Sequence, residues 1–151
     1  MKLTTEQKNI LREASAIYES LAHQSLINFS SPEDVADFLK PRLSGEEREH
    51  FEVLFLNQQH KLIKAERLFS GTINQATVFP REIAKLALEL NSAAVILAHN
   101  HPSGDTSPSQ SDKELTKKIK ASLELLGIRT LDHLIVGFSG NNFSFAQNSM
   151  L

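Results

Sequence analysis

The run Ala93-Ala94-Val95-Ile96-Leu97-Ala98, followed at once by His99-Asn100-His101, constrains this chain more than any other stretch. A short, unbroken apolar run bounded by polar residues is what a strand covered on both faces needs. Such a strand lies inside a sheet that carries helices on each side, so the run argues for a layered α/β domain. It is far too short to span a bilayer. The opening residues, Met1-Lys2-Leu3-Thr4-Thr5-Glu6, hold no apolar signal core. The expectation is a soluble, cytoplasmic, single-domain protein with no membrane partner.

The flanking sequence supplies the other layers. Thr4 and Gln7 have capping-box spacing, and Ile10, Leu11, Ala14, Ile17, Tyr18 and Leu21 recur at helical intervals. Ser31-Pro32-Glu33-Asp34 is a second helix start, with a cap, a proline at the first position and acids in the first turn. That helix is expected to stop before Pro41, and Ser44 with Glu47 suggests one more short helical turn. From Phe51 to Leu56 the residues are β-formers, Asn57 to His60 reads as a turn, and Lys61 to Ser70 reads as a second strand ended by Gly71. Asn74 to Val78 reads as a short strand. Pro80-Arg81-Glu82 opens a helix with Ile83, Leu86, Ala87 and Leu90 on one face. A loop holding Pro102, Gly104 and Pro108 leads to a capped helix from about Ser109 to Leu126, closed by Gly127. Ile128 to Val136 and Asn142 to Phe145 read as two last strands. The order predicts an α/β (α+β) layered domain with a mixed sheet.

With 151 residues the chain can bury one core without disulfides or a structural metal. It contains no cysteine, which removes thiol nucleophiles and thiolate zinc sites and leaves His, Asp and Glu as the only metal ligands. Sixteen basic against eighteen acidic residues give no global field for gripping nucleic acid, so such a partner is not expected.

Within that donor inventory one stretch stands out. His99 and His101 lie two apart at the end of a buried strand, so both imidazoles share a face. The following loop brings Asp112 back into the first turn of the next helix. Two imidazoles and a carboxylate suit Zn²⁺ and leave a fourth position for water, as in catalytic sites. Each piece also has a plain reading. A His-x-His pair alone is weak, Ser109-x-x-Asp112 is an ordinary capping pattern, and Gly104-Asp105 is an ordinary turn. The two readings of Ser109-x-x-Asp112 are compatible, since a capped helix start fixes a ligand rigidly.

Hydrolysis needs a base for the water. Glu82 and Glu89 fall on a helix start or exposed helix face. Glu52 alternates with Phe51 and Val53 and reads as solvent-facing. Glu66 is in mid-strand, in register with Leu62 and Leu68, which is costly for a carboxylate without a partner; Lys64 shares that register, so the pattern leaves its burial open. Asp132-His133 reads as a structural hydrogen bond in preference to a support for a ligand. Lys113, Lys117, Lys118 and Lys120 read as a solvated helix face.

The pattern His99-x-His101-x7-Ser109-x2-Asp112 resembles the JAMM signature of the JAB/MPN metalloprotease fold. Phe69-x-Gly71-Thr72, Pro80-Arg81-Glu82, the segment from Ala94 to Gly104, and Asp132-His133-Leu134-Ile135-Val136-Gly137 resemble the RadC-like branch of that superfamily. The resemblance implies a mixed, curved β-sheet flanked by helices. It divides the chain into an N-terminal helical segment, residues 1–29, and a RadC-like JAB/MPN domain, residues 30–151. It implies that His99, His101 and Asp112 hold zinc, that Ser109 steadies the attacking water or the tetrahedral intermediate, and that Glu66 is the base. Long members of the branch begin with a helix–hairpin–helix-like region suited to DNA, which this sequence does not show, and it has no room for the insertions by which related deubiquitinases recognise ubiquitin. The expected function is zinc-dependent hydrolysis of amide bonds, as a peptidase or isopeptidase acting on a peptide or protein substrate. The alternative is a DNA-associated repair-type module whose metal site is structural or vestigial. A nuclease fits poorly, because one His₂Asp site lacks the second carboxylate cluster of two-metal phosphodiester chemistry.

Overall fold

The apolar run forms the third strand and the centre of a five-stranded sheet in the computed structural model, which describes residues 2–71 and 77–151. The elements are α1 (Thr5–His23), α2 (Pro32–Leu43), β1 (Glu49–Leu56), β2 (Leu62–Gly71), α3 (Pro80–Glu89), β3 (Ala94–His101), α4 (Gln110–Glu124), β4 (Arg129–Gly137) and β5 (Asn142–Ser144). The strand order is β2-β1-β3-β4-β5. β1 pairs antiparallel with β2 and β3, β3 runs parallel to β4, and β5 closes the edge antiparallel to β4. This is the expected α/β architecture with a mixed sheet.

Alternation along the central strands sends side chains to two separate cores. Leu54, Leu56, Ile96, Ala98, Leu134 and Val136 meet Phe29, Phe38, Leu39 and Leu43 under α1 and α2. Phe51, Val53, Phe55, Val95 and Leu97 meet Ile83 and Ala87 of α3 and Leu115, Ile119 and Leu123 of α4. β3 is thus covered on both faces, as its composition demands. Among the described residues no helix is long and apolar enough to cross a membrane.

The helix starts follow the local signals. Thr4 and Gln7 form a reciprocal capping box at α1, and the Ser31 hydroxyl oxygen accepts from the Asp34 N–H at α2. The end of α2 does not. Pro41 lies inside the helix, which continues to Leu43 and closes with the Ser44 N–H donating to the Lys40 carbonyl at 2.8 Å. Proline removes one ladder bond, but Leu39 and Leu43 are completely buried, and their packing outweighs that loss. The extra helical turn expected over Ser44–Glu47 does not form. Gly45 adopts a left-handed φ of 70° and gives its N–H to the Phe138 carbonyl at 2.9 Å. The strand expected over Asn74–Val78 falls mostly outside the described residues.

Glu52 departs most from its expected place. It is 0% exposed, on the face packed under α2. Its carboxylate accepts from Arg42 Nε at 3.1 Å, Arg42 Nη2 at 2.9 Å and Arg67 Nε at 3.4 Å. The alternation of Glu52 with apolar residues implied a wet face, but α2 covers that face and brings a fixed guanidinium with it.

Candidate metal centre

β3 delivers His99 and His101 to one face of the sheet, beside the N-terminus of α4. The chain leaves β3 through a turn in which the Gly104 N–H donates to the His101 carbonyl at 3.0 Å, with Gly104 at φ 87°. Only glycine enters that region without strain. The Asn141 amide donates to the Gly104 carbonyl at 2.9 Å and ties the loop to the β4–β5 turn. The loop ends in a capping box. Ser109 Oγ accepts from the Asp112 N–H at 3.0 Å, and Asp112 Oδ2 accepts from the Ser109 N–H at 2.8 Å. The cap therefore holds the Asp112 carboxylate in place and leaves the hydroxyl proton of Ser109 outside this exchange.

Three side chains converge there. His99 Nε2 and His101 Nε2 are 3.0 Å apart, Asp112 Oδ1 is 3.3 Å from the first, and Oδ2 is 3.3 Å from the second. His101 Nδ1 lies 2.7 Å from the Asp105 carbonyl. A carbonyl only accepts, so Nδ1 carries the proton and the neutral ring turns the bare Nε2 inward. Acceptor atoms crowded in this way repel unless a proton or a metal ion sits among them. Tetrahedral zinc with nitrogen ligands at about 2.0–2.1 Å sets neighbouring ligand atoms about 3.3 Å apart, close to the spacing found. His99, His101 and Asp112 are the group able to hold a metal ion among the described residues.

The electrostatics agree. Burial disfavours the charged Asp112 carboxylate, but His101 and His99, whenever they carry a proton on the nitrogen that faces it, outweigh burial and hold the carboxyl well below the usual carboxylate range. Burial also works against a charged His101, yet the hydrogen bond to Asp112, the Asp105 carbonyl and the charges of Asp112 and Glu49 raise its pKa above the ordinary value. Below that raised pKa the ring carries a proton that a metal must displace. Zinc affinity is therefore expected to fall about tenfold per pH unit for this one proton, beginning above an unperturbed histidine's pKa of ~6.5. Chelator competition across this range checks it; a flat profile from mildly alkaline pH down to 6 contradicts it.

Glu66 is not part of this cluster. It pairs with Val53, which pairs with Leu97, so it lies two strands across from β3, about 10 Å to the side. Its carboxylate is one-third exposed and joined to Lys64 Nζ at 3.1 Å. Glu82 and Glu89 are exposed on α3, and Glu52 is on the other face. The carboxylate that stands beside the histidines is Glu49. Phe51 pairs with His99 at the end of the β1–β3 ladder; beyond it the Asn100 side chain bonds the His50 N–H and the Arg48 carbonyl, and Glu49, two residues before Phe51, falls on the same strand face as Phe51. Its charge is among those that raise the His101 pKa. Glu49, Arg48, Glu47, Gly71, Pro102 and Ser103 line, together with His101, an open groove of about 610 Å³. In the sequence Glu49 continues the alternation Phe51, Val53, Phe55, but a strand begun at Phe51 leaves it out.

The two members of the Asp132-His133 pair have different roles. Asp132 accepts from the His133 and Ala146 N–H groups at 2.7 and 2.9 Å and pairs with Ser144 Oγ at 2.5 Å, which is a structural role. His133 is completely buried and places Nε2 2.8 Å from His99 Nδ1, so it supports a member of the cluster rather than only the strand. Burial, joined by the charge of His99, pushes its pKa well below the ordinary histidine value. Asp105 is exposed and caps its own turn through the Ser107 N–H at 2.9 Å; only its carbonyl touches the site. Lys113, Lys117 and Lys118 are exposed along α4.

Comparison with known proteins matches this arrangement to one family. A family model described as the RadC-like JAB domain matches residues 29–150. The UPF0758 protein YkfG of Escherichia coli K12 is 44% identical over 150 residues, 99% of this chain and 94% of that protein. A UPF0758 protein of Histophilus somni strain 2336 is 54% identical over 123 residues, 82% of this chain and 55% of that protein. One from Haemophilus influenzae strain Rd is 60% identical over 122 residues, 81% of this chain and 55% of that protein. The chain thus spans about half the length of the last two. A JAMM-like ligand pattern, a mixed sheet that presents it beside a helix N-terminus, and a family match over most of the chain agree, and the chain belongs to the RadC-like JAB domain family.

Proposed function

We propose that this protein is a zinc-dependent hydrolase of amide bonds, acting on a peptide, a protein tail or an isopeptide. The observation that carries the reading is the convergence of His99 Nε2, His101 Nε2 and the Asp112 carboxylate, with neighbouring contacts of 3.0–3.3 Å, beside an open groove that His101 lines. Membership in a metallohydrolase-related superfamily supports it. When bound, zinc would lower the pKa of water and polarise a carbonyl oxygen. In this reading His99, His101 and Asp112 are the metal ligands. Glu49, rather than Glu66, takes the proton from the attacking water and returns it to the leaving amine. The hydroxyl of Ser109 donates to the developing oxyanion.

The test begins with the metal. Wild-type protein is expected to bind one zinc ion, and Asp112→Ala to bind it at least about 100-fold more weakly, because removing a ligand exceeds the tenfold to hundredfold loss seen for outer partners. Isothermal titration with zinc reads both. Wild-type protein that takes up no zinc ends the proposal. The exposed lysines of α4 favour the second reading, a DNA-associated module. Phosphate contacts would give DNA affinity a steep slope against salt, and absence of such binding removes that reading.

A further inference from the structure

The buried contacts behind His99 run in one direction only. Thr116 Oγ lies 2.7 Å from the carbonyl oxygen of Asp112, one turn earlier in α4. That carbonyl can only accept, so it takes the single hydroxyl proton of Thr116. The same Oγ is 2.6 Å from His133 Nδ1. With its own proton spent, the hydroxyl oxygen must accept there, which places the His133 proton on Nδ1. His133 Nε2 is then a bare acceptor, 2.8 Å from His99 Nδ1. His99 must supply that proton from Nδ1, and its Nε2 is left bare toward His101 and Asp112.

Among the described residues the surroundings offer no other partner to this row of side chains. Thr116, His133 and His99 are 2%, 0% and 1% exposed. Phe145 stacks on the His133 ring at 4.8 Å, and Phe51 meets the same ring edge-on at 5.7 Å. These faces hold the ring plane and keep water from lending or taking a proton. His101 obtains the same tautomer from a single carbonyl, that of Asp105. His99 has no carbonyl behind it and obtains it through two side chains.

We propose that Thr116 and His133 are positioning residues: a proton-directing relay that starts on the backbone of Asp112 and holds His99 as the Nδ1–H tautomer, with Nε2 ready for a metal. The proposal rests on the metal reading of the cluster for its purpose, but the tautomer itself is a property of the chain alone. The relay also ties two of the three residues of the cluster, His99 and Asp112, together, because its first acceptor is the main chain of Asp112. A threonine three contacts from the metal thereby controls how well it binds.

Thr116→Val keeps the shape and removes the hydroxyl. His133 Nδ1–H then has no acceptor, and the ring is better satisfied with its proton on Nε2, aimed at His99. His99 becomes the acceptor through Nδ1 and turns an Nε2–H toward the metal. In the metal-free protein at mildly alkaline pH, ¹⁵N–¹H correlation spectra should show His99 as Nδ1–H in the wild type and shifted toward Nε2–H in Thr116→Val. Zinc affinity should fall about 10- to 100-fold in Thr116→Val, and Thr116→Ser should restore it. His133→Phe should weaken zinc to a similar degree.

A wild-type His99 found as Nε2–H overturns the proposal, and so does a folded Thr116→Val with unchanged tautomer and unchanged zinc affinity. If Thr116→Val does not fold, the wild-type tautomer and the Thr116→Ser affinity still decide. If wild-type protein binds no zinc yet shows the Nδ1–H tautomer, the metal reading fails while the relay stands.

Discussion

Glu49→Gln is expected to bind zinc as tightly as the wild type and to lose amide hydrolysis by about 10²- to 10⁴-fold, the usual contribution of a general base. Glutamine keeps the shape of the side chain and cannot take a proton. The expectation follows from register. Phe51 lies opposite His99, Glu49 shares the face of Phe51 by strand alternation, and its charge reaches His101. Glu66→Gln is the control. It removes the Lys64 ion pair on a half-open edge strand, a contact worth about 0–1 kcal/mol, and should leave turnover within about threefold. Zinc titration and hydrolysis rates for the two variants, measured side by side, separate them. Loss of turnover in Glu66→Gln with Glu49→Gln unaffected would return the base to β2.

Arg42→Ala should destabilise the fold by about 3–5 kcal/mol without touching the His99, His101 and Asp112 cluster. The Glu52 carboxylate is fully buried, and Arg42 supplies two of its hydrogen bonds through a side chain that is itself only 13% exposed. Burial disfavours a charged guanidinium, but the hydrogen bond and charge of Glu52 more than compensate and raise the Arg42 pKa. Removing one partner of a buried pair leaves a charge with nothing to balance it, which is the costly case. Arg67 remains at 3.4 Å, but it is one-third exposed and does not replace a two-point grip. The pair Arg42→Met with Glu52→Leu should recover much of the loss, because apolar replacement of both partners is often close to neutral. Urea unfolding reads both variants; a loss below about 1 kcal/mol in Arg42→Ala would show that the pair is not holding α2 to the sheet.

These two cases mark the difference between near and far information in this chain. Thr4 with Gln7, Ser31 with Asp34 and Ser109 with Asp112 announce their helices because each cap is closed by residues three positions apart. Gly104 and the spacing of His99, His101 and Asp112 are legible for the same reason. His99 and His101 share a face by strand alternation, and Asp112 returns on the first turn of the next helix. Pro41 misled because its cost is local, whereas the burial of Leu39 and Leu43 that offsets it depends on strands far along the chain.

By itself, then, the sequence determined an α/β domain built around a strand buried on both faces, and the grouping of His99, His101 and Asp112, which could hold a metal ion, at the end of that strand. Those features depend on side-chain period, caps and short loops, all of which act within about a dozen residues. Only the tertiary structure decided which glutamate stands beside the histidines, that Glu52 is sealed under α2 with Arg42, and that His133 and Thr116 stand behind His99. Each of these depends on which strand lies next to which, in what register, and on what covers each face. Pairings such as Phe51 with His99 and Leu97 with His133 join residues 48 and 36 positions apart (99 − 51 and 133 − 97), and they arise from burial of the two cores as a whole, which no local pattern encodes.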